Sequence, residues 1–210
     1  MKVCILDYGS GNVKSVFNMI STLTEDVTIS NNTSDIKNAS HLILPGVGAF
    51  GASMKKINEN IPVDELANEV LNTKKPFLGI CVGMQVLAEK GLEFGEHKGF
   101  GWINGTVEKL NVPDNLTLPH IGWNDINIKK QNNVLLNHFT DHQDFYFVHS
   151  FAVSGTDEEY IVSDTEYGTN FISVVNKENI FGVQFHPEKS QKAGKVLIEN
   201  FLNIKRKRKD

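Results

Sequence analysis

A chain of 210 residues with a formal net charge of −4 is long enough to bury a full core as a single domain, residues 1–210. Its mild acidity offers no general attraction to nucleic acid or to an anionic membrane, and no apolar run approaches the roughly 20 residues that a bilayer span requires. The first seven residues reach a charge too soon for a signal peptide, and the two cysteines do not make a disulfide framework, which points to a reducing, cytoplasmic setting.

Val3–Leu6 reads as a first strand, with Cys4 a small core residue. The loop Asp7-Tyr8-Gly9-Ser10-Gly11-Asn12 follows, then a helix with Val13, Val16, Phe17 and Ile20 at helical spacing. Val27–Ser30 is a short strand, and the polar cluster 31–35 turns the chain and caps a short helix. Residues 41–44 form another apolar strand that ends in Pro45-Gly46-Val47-Gly48-Ala49-Phe50, and 51–73 read as helical with a break near Pro62.

Phe77, Leu78 and Ile80 form the apolar run of a strand covered on both faces. Gly79 and Gly83 flank Cys81 in a strand-turn-helix elbow, with residues 85–89 continuing the helix. Further on, 99–107, 118–128, 145–153, 171–175 and 180–185 read as strands with hairpin-type connections. A closing amphipathic helix over 189–204 carries Ala193, Val196, Leu197, Ile198, Phe201 and Leu202. The basic run 205–209 is its solvated end, where cations suit the helix dipole.

Strands alternating with helices predict a doubly wound α/β fold, with a mostly parallel central sheet, helices on both faces and an antiparallel extension. Sites in such sheets gather outside the carboxyl ends of the strands, which puts the loops after the first and third strands beside Cys81.

A thiol at the apex of an elbow that opens a helix is a candidate nucleophile, because the helix N-terminus favours the thiolate. Its base must itself be oriented, and Gly182-Val183-Gln184-Phe185-His186-Pro187-Glu188 offers one. Pro187 biases His186 toward extended backbone, and Glu188, two residues on, then projects to the same side and fixes the imidazole tautomer. Attack on a carbonyl creates an oxyanion, for which each aimed backbone N–H supplies about 3 kcal/mol. The candidate donors are the N–H of Val82 and the glycine-flanked peptide at Val47 or Gly48.

Together, Gly79-Ile80-Cys81-Val82-Gly83-Met84-Gln85 and the segment 182–188 resemble the class I (triad) glutamine amidotransferases. Pro45-Gly46-Val47-Gly48-Ala49-Phe50, the loop 7–12, Pro119-His120-Ile121-Gly122-Trp123-Asn124 and Val148-His149-Ser150-Phe151 are similar to the glutaminase subunits of imidazole glycerol phosphate synthases, from the first strand to the last helix. The resemblance implies glutamine hydrolysis by Cys81, His186 and Glu188 without cofactor or metal. Glutamine would be held by Gln85 and the main chain around Val82, Ser150 and Phe151, and ammonia passed to a separate (β/α)8 barrel cyclase subunit in histidine synthesis. It also makes Asn12, Trp123 and Asn124 docking-face residues, although a core tryptophan is nearly as good a reading of Trp123. Ile121 stands where methionine is common in the family, and Phe151 where tyrosine is common. Two alternatives remain: a glutaminase feeding a sugar amidotransferase in surface-glycan synthesis, and a non-catalytic redox sensor with Cys81 as its thiol.

Overall fold

In chain order the first half contains β1 (Val3–Leu6), α1 (Val13–Ser21), β2 (Val27–Ser30), α2 (Thr33–Asn38), β3 (His41–Gly46), α3 (Phe50–Asn60), α4 (Val63–Ala67), β4 (Phe77–Cys81) and α5 (Val82–Gln85). The second half contains β5 (Lys90–Gly91), β6 (His97–Lys98), β7 (Thr106–Lys109), β8 (His120–Ile128), β9 (Gln143–His149), β10 (Phe151–Ser154), β11 (Ile161–Tyr167), β12 (Thr169–Lys177), β13 (Ile180–Val183) and α6 (Gln191–Leu202). The structure is a computed structural model that describes residues 1–206, so the basic residues 207–209 lie outside the described residues.

Nine strands make one sheet in the order β2-β1-β3-β4-β13-β12-β11-β8-β9. β2, β1, β3, β4 and β13 run parallel, and from β12 onward each strand pairs antiparallel. This is the expected doubly wound sheet with its antiparallel extension. Every residue of β1, β3, β4 and β13 is buried, as continuous apolar strands must be when helices cover both faces. A second, four-stranded sheet, β10-β7-β5-β6, stands apart and was not expected. Among the described residues, no helix is long and apolar enough to cross a membrane.

The structure corrects three details. The helix after Cys81 stops at Gln85, because the carbonyls of Val86, Leu87 and Ala88 bond to the backbone of residues 100–103 instead of continuing the helix. For the same reason 99–105 is not strand, and β7 begins only at Thr106. The segment 145–153 is two strands: β9 belongs to the large sheet and β10 to the small one, with Ser150 as the break. Elsewhere the expected elements are present within a few residues, including the break at Pro62, which caps α4.

Candidate active site

Cys81 ends β4 with φ 55° and ψ −112°, a strained conformation for a residue with a side chain. The elbow is tight enough to demand glycine on both sides. A Cβ on Gly83 would stand 1.8 Å from Leu44 O, and one on Gly79 would stand 2.3 Å from Gly83 O. Both cysteines are free thiols. Cys4 is buried in β1 as expected, and burial, the largest influence, pushes its pKa up to about 12. The α5 helix is a single turn, so its dipole is shorter than the sequence suggested. The polar donor on the Cys81 thiol is instead Gln184 Nε2, 3.7 Å from Sγ.

β13 lies beside β4 in parallel register, Gly182 against Gly79 and Val183 against Ile80. That pairing carries the chain leaving β13 to the carboxyl end of β4, where His186 lines the same cavity as Cys81. His186 has the extended backbone that a following proline imposes, φ −104° and ψ 96°. Pro187–Lys189 then makes a 3-10 turn, so Glu188 reaches the imidazole around a turn and not along a strand. Ser190 Oγ fastens this turn by donating to His186 O (2.7 Å) and accepting from Tyr146 N (3.0 Å).

Glu188 Oε1 accepts from His186 Nδ1 at 2.8 Å and from Asn12 Nδ2 at 3.3 Å, with both members of the ion pair almost fully buried. His186 Nε2 is buried and makes no hydrogen bond among the described residues. Burial, the largest influence on His186, lowers its pKa. The neighbouring Cys81 thiol and the Glu188 carboxylate together outweigh burial and hold the pKa at about 10.

These groups face a cavity of about 550 Å³ that also takes in Val47, Gly48, Val82, Gln85, Ser150 and Phe151. Every expected catalytic, oxyanion and substrate residue except Glu188, which stands behind His186, therefore borders one space. Gly48 has φ +93°, and the Val47 carbonyl accepts from Ser10 Oγ at 3.1 Å. Gln85 Nε2 donates both to Phe151 O (2.8 Å) and to Gln184 Oε1 (3.1 Å). Four residues were not singled out from sequence: Gln184 beside the thiol, and Glu93, His149 and Lys189 in the cavity wall. Gln184 lay inside the quoted His186 segment. Glu93 carries no motif, and only the fold brings it near.

The docking-face residues divide. Trp123 is 48 % and Ile121 59 % exposed on β8, which rules out the core reading of Trp123. Asn12 instead turns its amide inward to Glu188, and Asn124 gives its amide to Glu166 O (2.9 Å) and His120 Nε2 (3.3 Å).

The family model for Glutamine amidotransferase class-I matches residues 4–204. A relative from Vibrio vulnificus, "Imidazole glycerol phosphate synthase subunit HisH 2", is 45% identical over 204 residues, covering 97% of this chain and 94% of that one. Another from Pelagibacter ubique, "Imidazole glycerol phosphate synthase subunit HisH", is 42% identical over 209 residues, covering 97% of this chain and 100% of that one. A solved glutamine amidotransferase superposes with a TM-score of 0.73 at 17% identity, covering 96% of this chain and 97% of that one, a likeness of fold. The chain belongs to the class-I glutamine amidotransferase family and, within it, to the HisH subunits of imidazole glycerol phosphate synthase.

Proposed function

We propose that the chain hydrolyses glutamine and delivers the ammonia to a barrel cyclase subunit that makes imidazole glycerol phosphate for histidine synthesis. One observation carries the reading: a buried His186–Glu188 pair presents an otherwise unpartnered Nε2 in the cavity that holds the strained Cys81.

The chemistry follows from these positions. The imidazolium and Gln184 Nε2 favour negative charge on Cys81 Sγ, which attacks the side-chain amide carbon. The carbonyl π electrons move to oxygen, and the N–H groups of Val82 and of the 47–48 segment receive the oxyanion. His186 Nε2 gives its proton to the amide nitrogen, the C–N bond breaks, and ammonia leaves a thioester on Cys81. Water then adds to the thioester with His186 as base, the C–S bond breaks, and glutamate departs. Glu188 keeps the imidazole on one tautomer and stabilises its positive form. Gln85, with both amide hydrogens committed, offers its carbonyl oxygen to the substrate. Glu93 and Lys189, of opposite charge on the cavity wall, match the ammonium and carboxylate of an α-amino acid. A reactive thiol of this kind fits the reducing cytoplasm.

The exposed Trp123 and Ile121 are the docking anchors of this reading. The 42–45% identity to HisH subunits over nearly the whole chain favours the histidine branch over a sugar-modifying partner.

The test is glutamate release from glutamine by the chain mixed with a cognate cyclase and its nucleotide ligand. Cys81→Ala and His186→Ala each remove glutamine-dependent synthesis while synthesis from added ammonia persists. Loss of both reactions would assign these residues to assembly, and glutamine turnover that survives Cys81→Ala would overturn the mechanism.

A further inference from the structure

Two buried histidines outside the triad, His120 at the start of β8 and its cross-strand partner His149 at the end of β9, connect β8 to the substrate cavity that His149 lines. His120 Nδ1 is 3.2 Å from His149 Nε2, and His149 Nδ1 is 3.0 Å from Phe151 O. On the far side, His120 Nε2 is 3.3 Å from Asn124 Nδ2.

The protons in this row are fixed from both ends. A carbonyl only accepts, so His149 carries its proton on Nδ1. Neutral His149 then accepts at Nε2, which requires a proton on His120 Nδ1. Neutral His120 in turn accepts at Nε2, facing an amide nitrogen that only donates. Three contacts, two neutral rings and one direction agree. Adding a proton to either ring would set N–H against N–H.

The row ends on a backbone atom with a second task. Ser150 O accepts from Leu110 N just past the end of β7, so the next carbonyl, that of Phe151, points away from β7. There it accepts from His149 Nδ1 and Gln85 Nε2, filling both lone pairs. Gln85 continues to Gln184, and Gln184 to Cys81 Sγ. An unbroken hydrogen-bonded chain thus runs from Asn124 on β8 to the thiol.

We propose that His120 and His149 are positioning residues of the glutaminase site, two neutral imidazoles each protonated on Nδ1 that fix the Phe151 carbonyl and, through it, Gln85 and Gln184. The proposal rests on the glutaminase reading above. Burial supports the neutral rings: it pulls the pKa of His120 to about 4 and is the largest cause lowering that of His149 to about 3. Packing holds His120 in place, with its ring stacked 4.0 Å from Tyr167 and 5.1 Å from Phe147.

Two substitutions separate hydrogen bonding from packing. His120→Phe keeps the stacked ring and removes the donor. His120→Asn loses the ring and places an amide N–H where Nδ1 stood. In the complex with the cyclase, His120→Phe raises the KM for glutamine about fivefold to tenfold, His120→Asn stays within about twofold of wild type, and ammonia-dependent synthesis reports intact assembly. Unchanged KM in both variants, or a loss in the Asn variant as large as in the Phe variant, overturns the proposal.

Independently, nitrogen NMR of the wild-type imidazoles at neutral pH shows both rings in the Nδ1–H form. A proton on Nε2 of either neutral ring, or a cationic ring, overturns it whatever the variants do. A wild-type complex that releases no glutamate would instead sink the glutaminase reading, and the tautomers would still decide the relay.

Discussion

Glu188 commits one carboxylate oxygen to two donors, His186 Nδ1 and Asn12 Nδ2, and leaves Oε2 buried without a partner among the described residues. A carboxylate held this way works through the imidazole, so Glu188→Gln, nearly equal in volume, should lower glutamine kcat by about 10²–10⁴-fold. Steady-state kinetics in the cyclase complex would check it, with the KM for glutamine staying within a few-fold. The His186 pKa also ties folding to pH. It rises from 6.5 to about 10 in the folded state, so between those values the folded chain holds a proton that the unfolded chain has lost. The stabilisation is complete below about pH 6.5 and is lost as pH climbs toward 10. Denaturant midpoints measured across that range should fall more steeply for wild type than for His186→Gln. At this scale the sequence was readable where partners are neighbours in the chain, as with His186-Pro187-Glu188. Gln184 and His149, although inside quoted motifs, and Glu93 received no role of their own, because their partners lie 103, 29 and 43 residues away: Cys81 for Gln184, His120 for His149 and Phe50 for Glu93.

Among elements, the β4–α5 elbow is tightly constrained. A Cβ at Gly83 would fall 1.8 Å from the Leu44 carbonyl, a strand backbone that has no room to yield. Gly83→Ala should therefore cost about 3 kcal/mol in chemical denaturation. A cost below about 1 kcal/mol would mean that the elbow relaxes. This element was legible because glycine and apolar runs are local signals. β11 was not, since its buried positions include Ser163 and Thr165, which do not read as a core face. Among the described residues, the Ser163 side chain is satisfied across the sheet, by a 2.8 Å bond to Ser173 Oγ. The β9–β10 break was hidden for a related reason. An apolar run that continues past Ser150 gives no sign that the chain passes from one sheet to another.

For the whole molecule, the exposed pair Trp123 and Ile121 on β8 is where assembly should be most sensitive. Trp123→Ala should weaken cyclase binding by about 30-fold or more while leaving the thermal midpoint of the isolated chain nearly unchanged. Titration calorimetry alongside thermal unfolding separates these effects, and an equal loss in both would return Trp123 to a structural role. The sheet order also sets when the site can exist. β13 pairs between β4 and β12, so during synthesis the outer edge of β4 stays open while about 100 further residues are made, roughly 5–20 s at ribosomal speed. Through that interval the thiol is present and the proposed base, His186, is not. On the proposed mechanism hydrolysis is thereby barred to any incomplete chain, and a β4 edge rich in buried apolar side chains waits as a template for wrong pairing. The strand that completes the chemistry is also the one that closes the risk of aggregation.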